Sequence, residues 1–327
     1  MSLVEKTLTQ YIELKWTVIL RAGNLQKTVP EKYKMNNKVI FLDNNSLSDI
    51  CNDSKVLKEA IHKIKKDHLR ISTSLSVIDE FLSGSRPDFI QNRAINLLKL
   101  ERALGPHQLS LFQKRDLVIT KELQKHRPLP LPIIPSKIRR KIFGFLDKKT
   151  KGNFEEITGK IHQHTKSEKE IAKLRDKEAQ CYISPKISEK ELIEVLKIVS
   201  SENFSLCKLN EHNLVIPWLW EGLEKLITGK KKLPTLEHFL AQPNYYPTCT
   251  IWLSLYSLTV IGSGLPNSAS DYGSKDLIPS WGDWTDLSIA ASAAYADFFV
   301  SKDSSLSNKY DRLDFTPYKI VKSLFKV

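Results

Sequence analysis

Four acidic residues in this chain each close a short apolar segment: Asp43 in KVIFLDNNSL, Glu80 in SLSVIDEFLSG, Asp286 in DWTDLSIAASAA and Asp303 in ADFFVSKDSSL. An apolar strand that ends on an acid delivers that acid to the carboxyl edge of a sheet, where open α/β folds bind their ligands. Carboxylates gathered at one edge form a hard, oxygen-rich site that suits Mg2+ or Mn2+ and suits Zn2+ poorly. Each acid alone also has an ordinary structural reading. Asp43 and Asp286 stand where helix N-termini favour negative charge, and Glu80 reads equally as a solvated helix residue. The chemical reading rests on the four together.

Taken in order, the segments resemble the motifs of PIN-domain nucleases. KVIFLDNNSL resembles the family's opening strand, with its first acid in a D-x-N-x-L setting, and SVIDEFLSG resembles the helix that carries its Glu. DLSIAASAA resembles its D-x-x-I-A-A-x-A helix start, and FFVSKDSSL its last strand and acid. The resemblance covers roughly the first 85 residues and the last 50. It departs at Asn44, where the family often has a small hydroxyl residue, and in the long separation, about two hundred residues, between the second and third segments.

The resemblance implies a metal-dependent endonuclease that hydrolyses phosphodiester bonds with Mg2+ or Mn2+, RNA being favoured over DNA as substrate. Asp43 and Asp303 would be the central ligands, Asp286 a third, and Glu80 a ligand or a water-orienting base. Asp283, one helical turn before Asp286, is the second-rank candidate. Members of that family often act as toxins or in RNA processing, so a toxin-like or defence effector with an inhibitory or activating protein partner is the expected setting. The alternative is a catalytically inactive PIN-like scaffold that binds nucleic acid or protein.

Composition agrees with a polyanionic partner. The chain has 327 residues, 41% hydrophobic and 27% charged, with a formal net charge of +13 and a pI near 9.4. An excess of that size favours nucleic acid. The basic clusters are KIRRK at 137–141, GKKK at 229–232 and HKIKKDH at 62–68. Arg139 and Arg140, which follow a stiff Pro-rich segment, and Lys230 and Lys231 are the expected phosphate contacts; most such runs are solvated faces. Asn45 offers an amide to a phosphate or, equally, a cap to the following helix. His162 and His164 have no further ligand at zinc spacing. Trp281 and Trp284 flank the acids and offer faces on which bases could stack.

Cys51, Cys181, Cys207 and Cys249 are isolated, with no C-x-x-C pair, which fits a reducing cytoplasm. The first residues carry charges throughout and show no signal-peptide core. Between His238 and Asp271 there is no charge, yet the apolar run TIWLSLYSLTVIG is shorter than a bilayer span, so a buried element and no membrane are expected.

The elements that must position the acids follow from periodicity. Residues 3–20 predict an amphipathic helix, 38–42 a strand, SLSDICNDS and KVLKEAIHKIKKDH two helices, and LRIST a second strand before the Glu80 helix. This β-α-β-α order predicts parallel strands with helical crossovers. Segments 88–104 and 108–126 predict helices, and PLPLPIIP a stiff extended break. SEKEIAKLRDKEAQ, SEKELIEVLKIVSSE and LPTLEHFLAQ predict further helices, the second with a capping box from Ser188 to Glu191. The end returns to α/β, with a helix at 286–296, a strand at 297–301 and a helix near 304–309. The expected fold is an α/β, PIN-like parallel-sheet domain built from residues 1–87 and 241–327, interrupted by a mainly α-helical insertion at 88–240.

Overall fold

A computed structural model describes residues 38–83, 86–151, 189–200, 204–211, 215–227, 233–264 and 283–327, with Glu170, Leu174, Lys177 and Cys181 singly. The expected helices at 3–20 and SEKEIAKLRDKEAQ, the capping Ser188, His162, His164, Lys230, Lys231 and Trp281 lie outside the described stretches. The elements run β1 (Val39–Leu42), α1 (Asn44–Asn52), α2 (Ser54–Lys66), β2 (Arg70–Ser74), α3 (Leu75–Phe81), α4 (Pro87–Gln108), β3 (Leu109–Phe112), α5 (Arg115–Lys125) and α6 (Ser136–Thr150). They continue α7 (Glu189–Ser200), α8 (Leu206–Glu211), α9 (Ile216–Leu226), α10 (Leu236–Ala241), α11 (Pro247–Gly264), α12 (Asp283–Ser292), β4 (Phe298–Val300), α13 (Ser304–Tyr310) and β5 (Lys319–Val321).

The five strands form one sheet in the order β3-β2-β1-β4-β5, and every neighbouring pair is parallel. The mixed α/β architecture with a parallel sheet is as expected. A parallel sheet is covered on both faces, so its central strands lose the polar alternation of a half-exposed strand. VIFL of β1 and LSLF of β3 are buried at every position. Phe41 is a centre of this core, with ring centroids 5.6 Å from Phe112 and 5.8 Å from Phe299.

The helices between β1 and β2 show why the crossover forms. Asp53 caps α2, its side chain accepting from the backbone N–H of Lys55 at 2.6 Å. Leu57, Ala60 and Ile64, at helical spacing, are buried, while most of the lysines face water.

The expected helical insertion at 88–240 does not hold at its start. β3 lies at 109–112, inside that range, and pairs with β2 at the edge of the sheet. A continuous helix through 108–126 is excluded because a strand occupies Leu109–Phe112, and the helix before it breaks at Gly105, which adopts φ 64, ψ −173. That is a conformation open in practice only to glycine, and it ends the helical path just before Pro106. The Pro-rich segment then protects the open edge of β3. Ile134 N–H donates to Leu111 O at 2.7 Å, and Gln113 N–H to Pro132 O at 2.7 Å.

The uncharged run after His238 forms α11, whose side chains are buried on all sides from Cys249 to Ile261 apart from the half-buried Tyr256. Among the described residues no helix is long and apolar enough to cross a membrane.

Candidate active site

Strand order decides where the acids meet. From β1 the chain passes to β2 and β3 on one side, and β4 and β5 lie on the other. The order therefore reverses between β1 and β4, and the crevice outside their carboxyl ends is the position where such sheets bind ligands. Asp43 follows β1 and the Ser301–Asp303 turn follows β4, so both reach that crevice.

Asp43 is 6% exposed and caps α1. Its Oδ1 accepts the N–H of Ser46 at 2.7 Å, and the Ser46 hydroxyl donates to Val300 O at 2.8 Å. The first turn of α1 is thereby pinned to the end of β4. Burial raises the carboxyl above its ordinary value, while the hydroxyl of Ser301 and the groups of Ser46 partly offset this. Ser301 also accepts the Asp303 N–H at 3.2 Å. Asp303 caps α13, its Oδ1 accepting from Leu306 N–H at 2.9 Å.

Glu80 stands on α3, which Ser74 caps at the end of β2. Burial raises its carboxyl, the side chain of Asn44 lowers it, and the nearby charge of Asp43 raises it again. Its Oε2 is buried without a hydrogen-bond partner. The side chain of Asn44 lowers the Glu80 carboxyl, and its Oδ1 accepts from the Ser48 hydroxyl at 3.5 Å.

Asp286, in the first turn of α12, lines a small cavity together with Asp303, Leu287, Leu306 and Lys309. Asp283 begins the same helix. The charge of Asp43 acts on Glu80, Asp286 and Asp303 line one cavity, and Ser301 acts on Asp43 and accepts the N–H of Asp303. Among the described residues no group of three or more His, Cys, Asp or Glu side chains comes together as a metal site.

Two further residues can be placed. Asn45 is exposed on the first turn of α1, where it can still meet a phosphate, and its neighbour Asn44 is the amide that acts on Glu80. Arg139 is 4% exposed and pairs with Glu101 at 2.8 Å between α4 and α6, with its guanidinium also over the Phe143 ring. It is a packing residue, because Ile138, Ile142 and Leu146 bring that face of α6 into the core. Arg140, the next residue, is exposed.

The carboxylate most dependent on its surroundings was not among the expected ones. Glu122 on α5 is 0% exposed and accepts the N–H groups of Thr248 and Cys249, each at 3.1 Å, and the Tyr295 hydroxyl at 2.9 Å. It caps the buried start of α11, where orphan N–H groups have no water to bond. Burial pushes its carboxyl up to about 7.

The pair Asp43–Glu80 has the chemistry of a hard cation site. Its donors are oxygens, it is largely dry, and one oxygen is unsatisfied. One or two carboxylates with several waters are what Mg2+ ordinarily takes, so these residues fit one such ion. No protein-family model matches the chain, and no curated protein or solved structure matches it.

Proposed function

We propose that the protein is a Mg2+- or Mn2+-dependent endonuclease with a PIN-like catalytic sheet, acting on RNA. The observation that carries this reading is the unsatisfied Glu80 Oε2 beside Asp43 at the switch point of a parallel sheet. A buried carboxylate oxygen without a donor is costly unless a cation or a proton completes it. A divalent ion held there would supply positive charge against the charge that develops on the reacting phosphate. Asp43 and Glu80 would hold it, and Asn44 would fix the angle of Glu80. Ser46 and Ser301 would keep the Asp43 carboxylate from turning away. Asp303 and Asp286 supply further negative potential across Ser301. Glu80 Oε2 would also accept a proton from an attacking water.

The net charge of +13 supports a polyanionic substrate, and exposed Arg140 remains a candidate phosphate contact. A toxin-like or defence role in the cytoplasm, restrained or released by a protein partner, is the setting this reading favours by analogy. A second reading is an inactive scaffold on the same sheet that binds nucleic acid or protein.

The deciding experiment is cleavage of labelled single-stranded and structured RNA by purified protein with Mg2+, Mn2+ or EDTA. The nuclease reading expects metal-dependent cleavage that Asp43→Asn abolishes. Cleavage that persists in EDTA or in Asp43→Asn overturns the mechanism, and no cleavage with any metal favours the scaffold.

A further inference from the structure

Helix α6 has two unlike faces. Ile138, Arg139, Ile142, Phe143 and Leu146 turn into the core. The opposite face carries Lys137, Arg140, Lys141, Gly144, Phe145 and Lys148, all exposed. Their spacing, i, i+3, i+4, i+7, i+8 and i+11, aligns them in one stripe. From Lys137 to Lys148 it runs roughly 16 Å along the helix. The acid of this helix, Asp147, is held by Arg102 at 2.6 Å and by Lys151 at 2.9 Å. Among the described residues no acid pairs with Lys137, Arg140, Lys141 or Lys148. The stripe therefore presents one sign of charge, whereas a solvated, salt-bridged helix face alternates both. A large aromatic stands within it: Phe145 is 41% exposed, with the Lys149 ammonium 5.8 Å from its ring centroid. Its neighbour is a glycine that packing does not call for, since a Cβ at Gly144 would meet nothing within 4 Å. Glycine weakens a helix interior relative to alanine, and here it leaves a bare step in the row of side chains beside the ring.

From this arrangement we infer that the outer face of α6 is a docking surface for single-stranded RNA. The cations hold successive phosphates, and a base stacks on Phe145 over the gap at Gly144. The charge of the stripe selects a polyanion. The aromatic selects its form, because the bases of a duplex are stacked on one another, while those of a single strand offer their faces to a ring. A lipid surface fits less well, since an interfacial helix needs an apolar face to sink into the bilayer, and the apolar face of α6 is already spent on the core. The inference rests on the nuclease reading for its choice of RNA over DNA, whereas the stripe itself is judged by binding and not by cleavage.

The test uses the full chain in EDTA, where the proposed cleavage does not run. Fluorescence anisotropy is read at several salt concentrations with a short labelled RNA strand, the DNA strand of the same sequence and an RNA duplex of the same length. The wild type is expected to bind the RNA strand more tightly than the duplex. Phe145→Ala should bind the strand about 10-fold more weakly, with an unchanged salt slope, and Phe145→Trp should retain the affinity. Lys137→Gln/Lys141→Gln/Lys148→Gln should lower the salt slope by about 2. Lys58→Gln/Lys65→Gln/Lys66→Gln, which removes the same charge from exposed positions of α2, should lower it far less. Thermal melts check that every variant is folded. A duplex bound as tightly as the strand, Phe145→Ala with unchanged affinity, or equal effects of the two triple variants overturns the inference. So does tighter binding of the DNA strand, or binding to phosphatidylserine vesicles without binding to RNA. Metal-dependent cleavage by a protein that fails these tests removes the stripe and leaves the nuclease reading standing. Strand binding at α6 without cleavage under any metal defeats the nuclease reading and leaves the stripe standing.

Discussion

The hydroxyl of Ser301, at the end of β4, lowers the carboxyl of Asp43 at the end of β1. The same hydroxyl oxygen accepts the N–H of Asp303, so one serine organises both strand ends. Ser301→Ala removes the bond to Asp303 and the hydroxyl that lowers the buried Asp43 carboxyl. We predict a loss of about 1–2 kcal/mol, a drop of roughly 2–6 °C in melting temperature, with Ser301→Thr retaining most of the stability. Calorimetry checks this; unchanged melting in Ser301→Ala would show that the hydroxyl holds nothing.

Asp43→Asn separates stability from activity. Burial raises the Asp43 carboxyl, so the folded state holds its proton to higher pH than the unfolded chain does. Stability from this group is complete at pH below its ordinary value of 3.8 and is lost as pH rises through the raised folded value. At neutral pH without metal, the ionised carboxylate is therefore a burden that Asn removes. Asn is also a good helix cap. The variant should melt at the same or a higher temperature in EDTA while metal-dependent cleavage falls by about 10²-fold or more. A variant that melts lower in EDTA would mean that Asp43 is mainly structural.

Much of this architecture can be read from the chain because a parallel sheet writes its strands as unbroken apolar runs. VIFL and FFV, each followed within three residues by an acid, disclosed β1, β4 and the edge they share. β3 was hidden because LSLF sits between two helical patterns, and periodicity alone does not separate a four-residue buried strand from a buried helix turn. The Gly105–Pro106 pair was the available signal. Side-chain partnerships were harder. Glu122 in LVITKELQKHR and Lys309 in LSNKYDR look like solvated helix residues. Their burial is set by segments more than a hundred residues away for Glu122, and by α12 for Lys309. The hint for Glu122 lay at the other end of its contact, since a buried helix starting PTCT has orphan N–H groups to satisfy. Asn44 showed itself only as a departure from a motif, and its role depends on where α3 places Glu80.

The neighbours Arg139 and Arg140 should respond in opposite ways. Arg139→Ala leaves Glu101 without its partner in a seam where the two side chains are 5% and 18% exposed. It should cost about 3 kcal/mol and leave RNA affinity unchanged wherever the protein remains folded. Arg140→Ala should alter stability by less than about 0.5 kcal/mol, and should weaken RNA binding and reduce its salt slope by about 1. Urea melts and fluorescence anisotropy at several salt concentrations check both. An affinity loss confined to Arg139→Ala would reverse the assignment.

Glu122 should give the protein a stability that declines toward neutral pH. In the unfolded chain its carboxyl titrates at its ordinary 4.5, and in the folded protein burial pushes it to about 7. The folded state therefore binds more protons between those values, and unfolding releases them. Stability from this group is fully present below pH 4.5 and is lost as pH rises to about 7, by an amount on the order of 3 kcal/mol. Asp43 and Glu80, also raised by burial, slope the same way, so the wild-type curve alone does not isolate Glu122. Glu122→Gln does. It removes the titration while keeping one oxygen for the N–H groups of Thr248 and Cys249, at a general cost of about 1–3 kcal/mol for the donor that replaces the second oxygen. Urea unfolding at pH 5, 6, 7 and 8 should show a clear decline in the wild type and a flatter curve in Glu122→Gln, with Asp43→Asn still declining. Equal slopes in the wild type and Glu122→Gln would mean that the carboxylate stays ionised throughout, held by its three donors more strongly than burial opposes it.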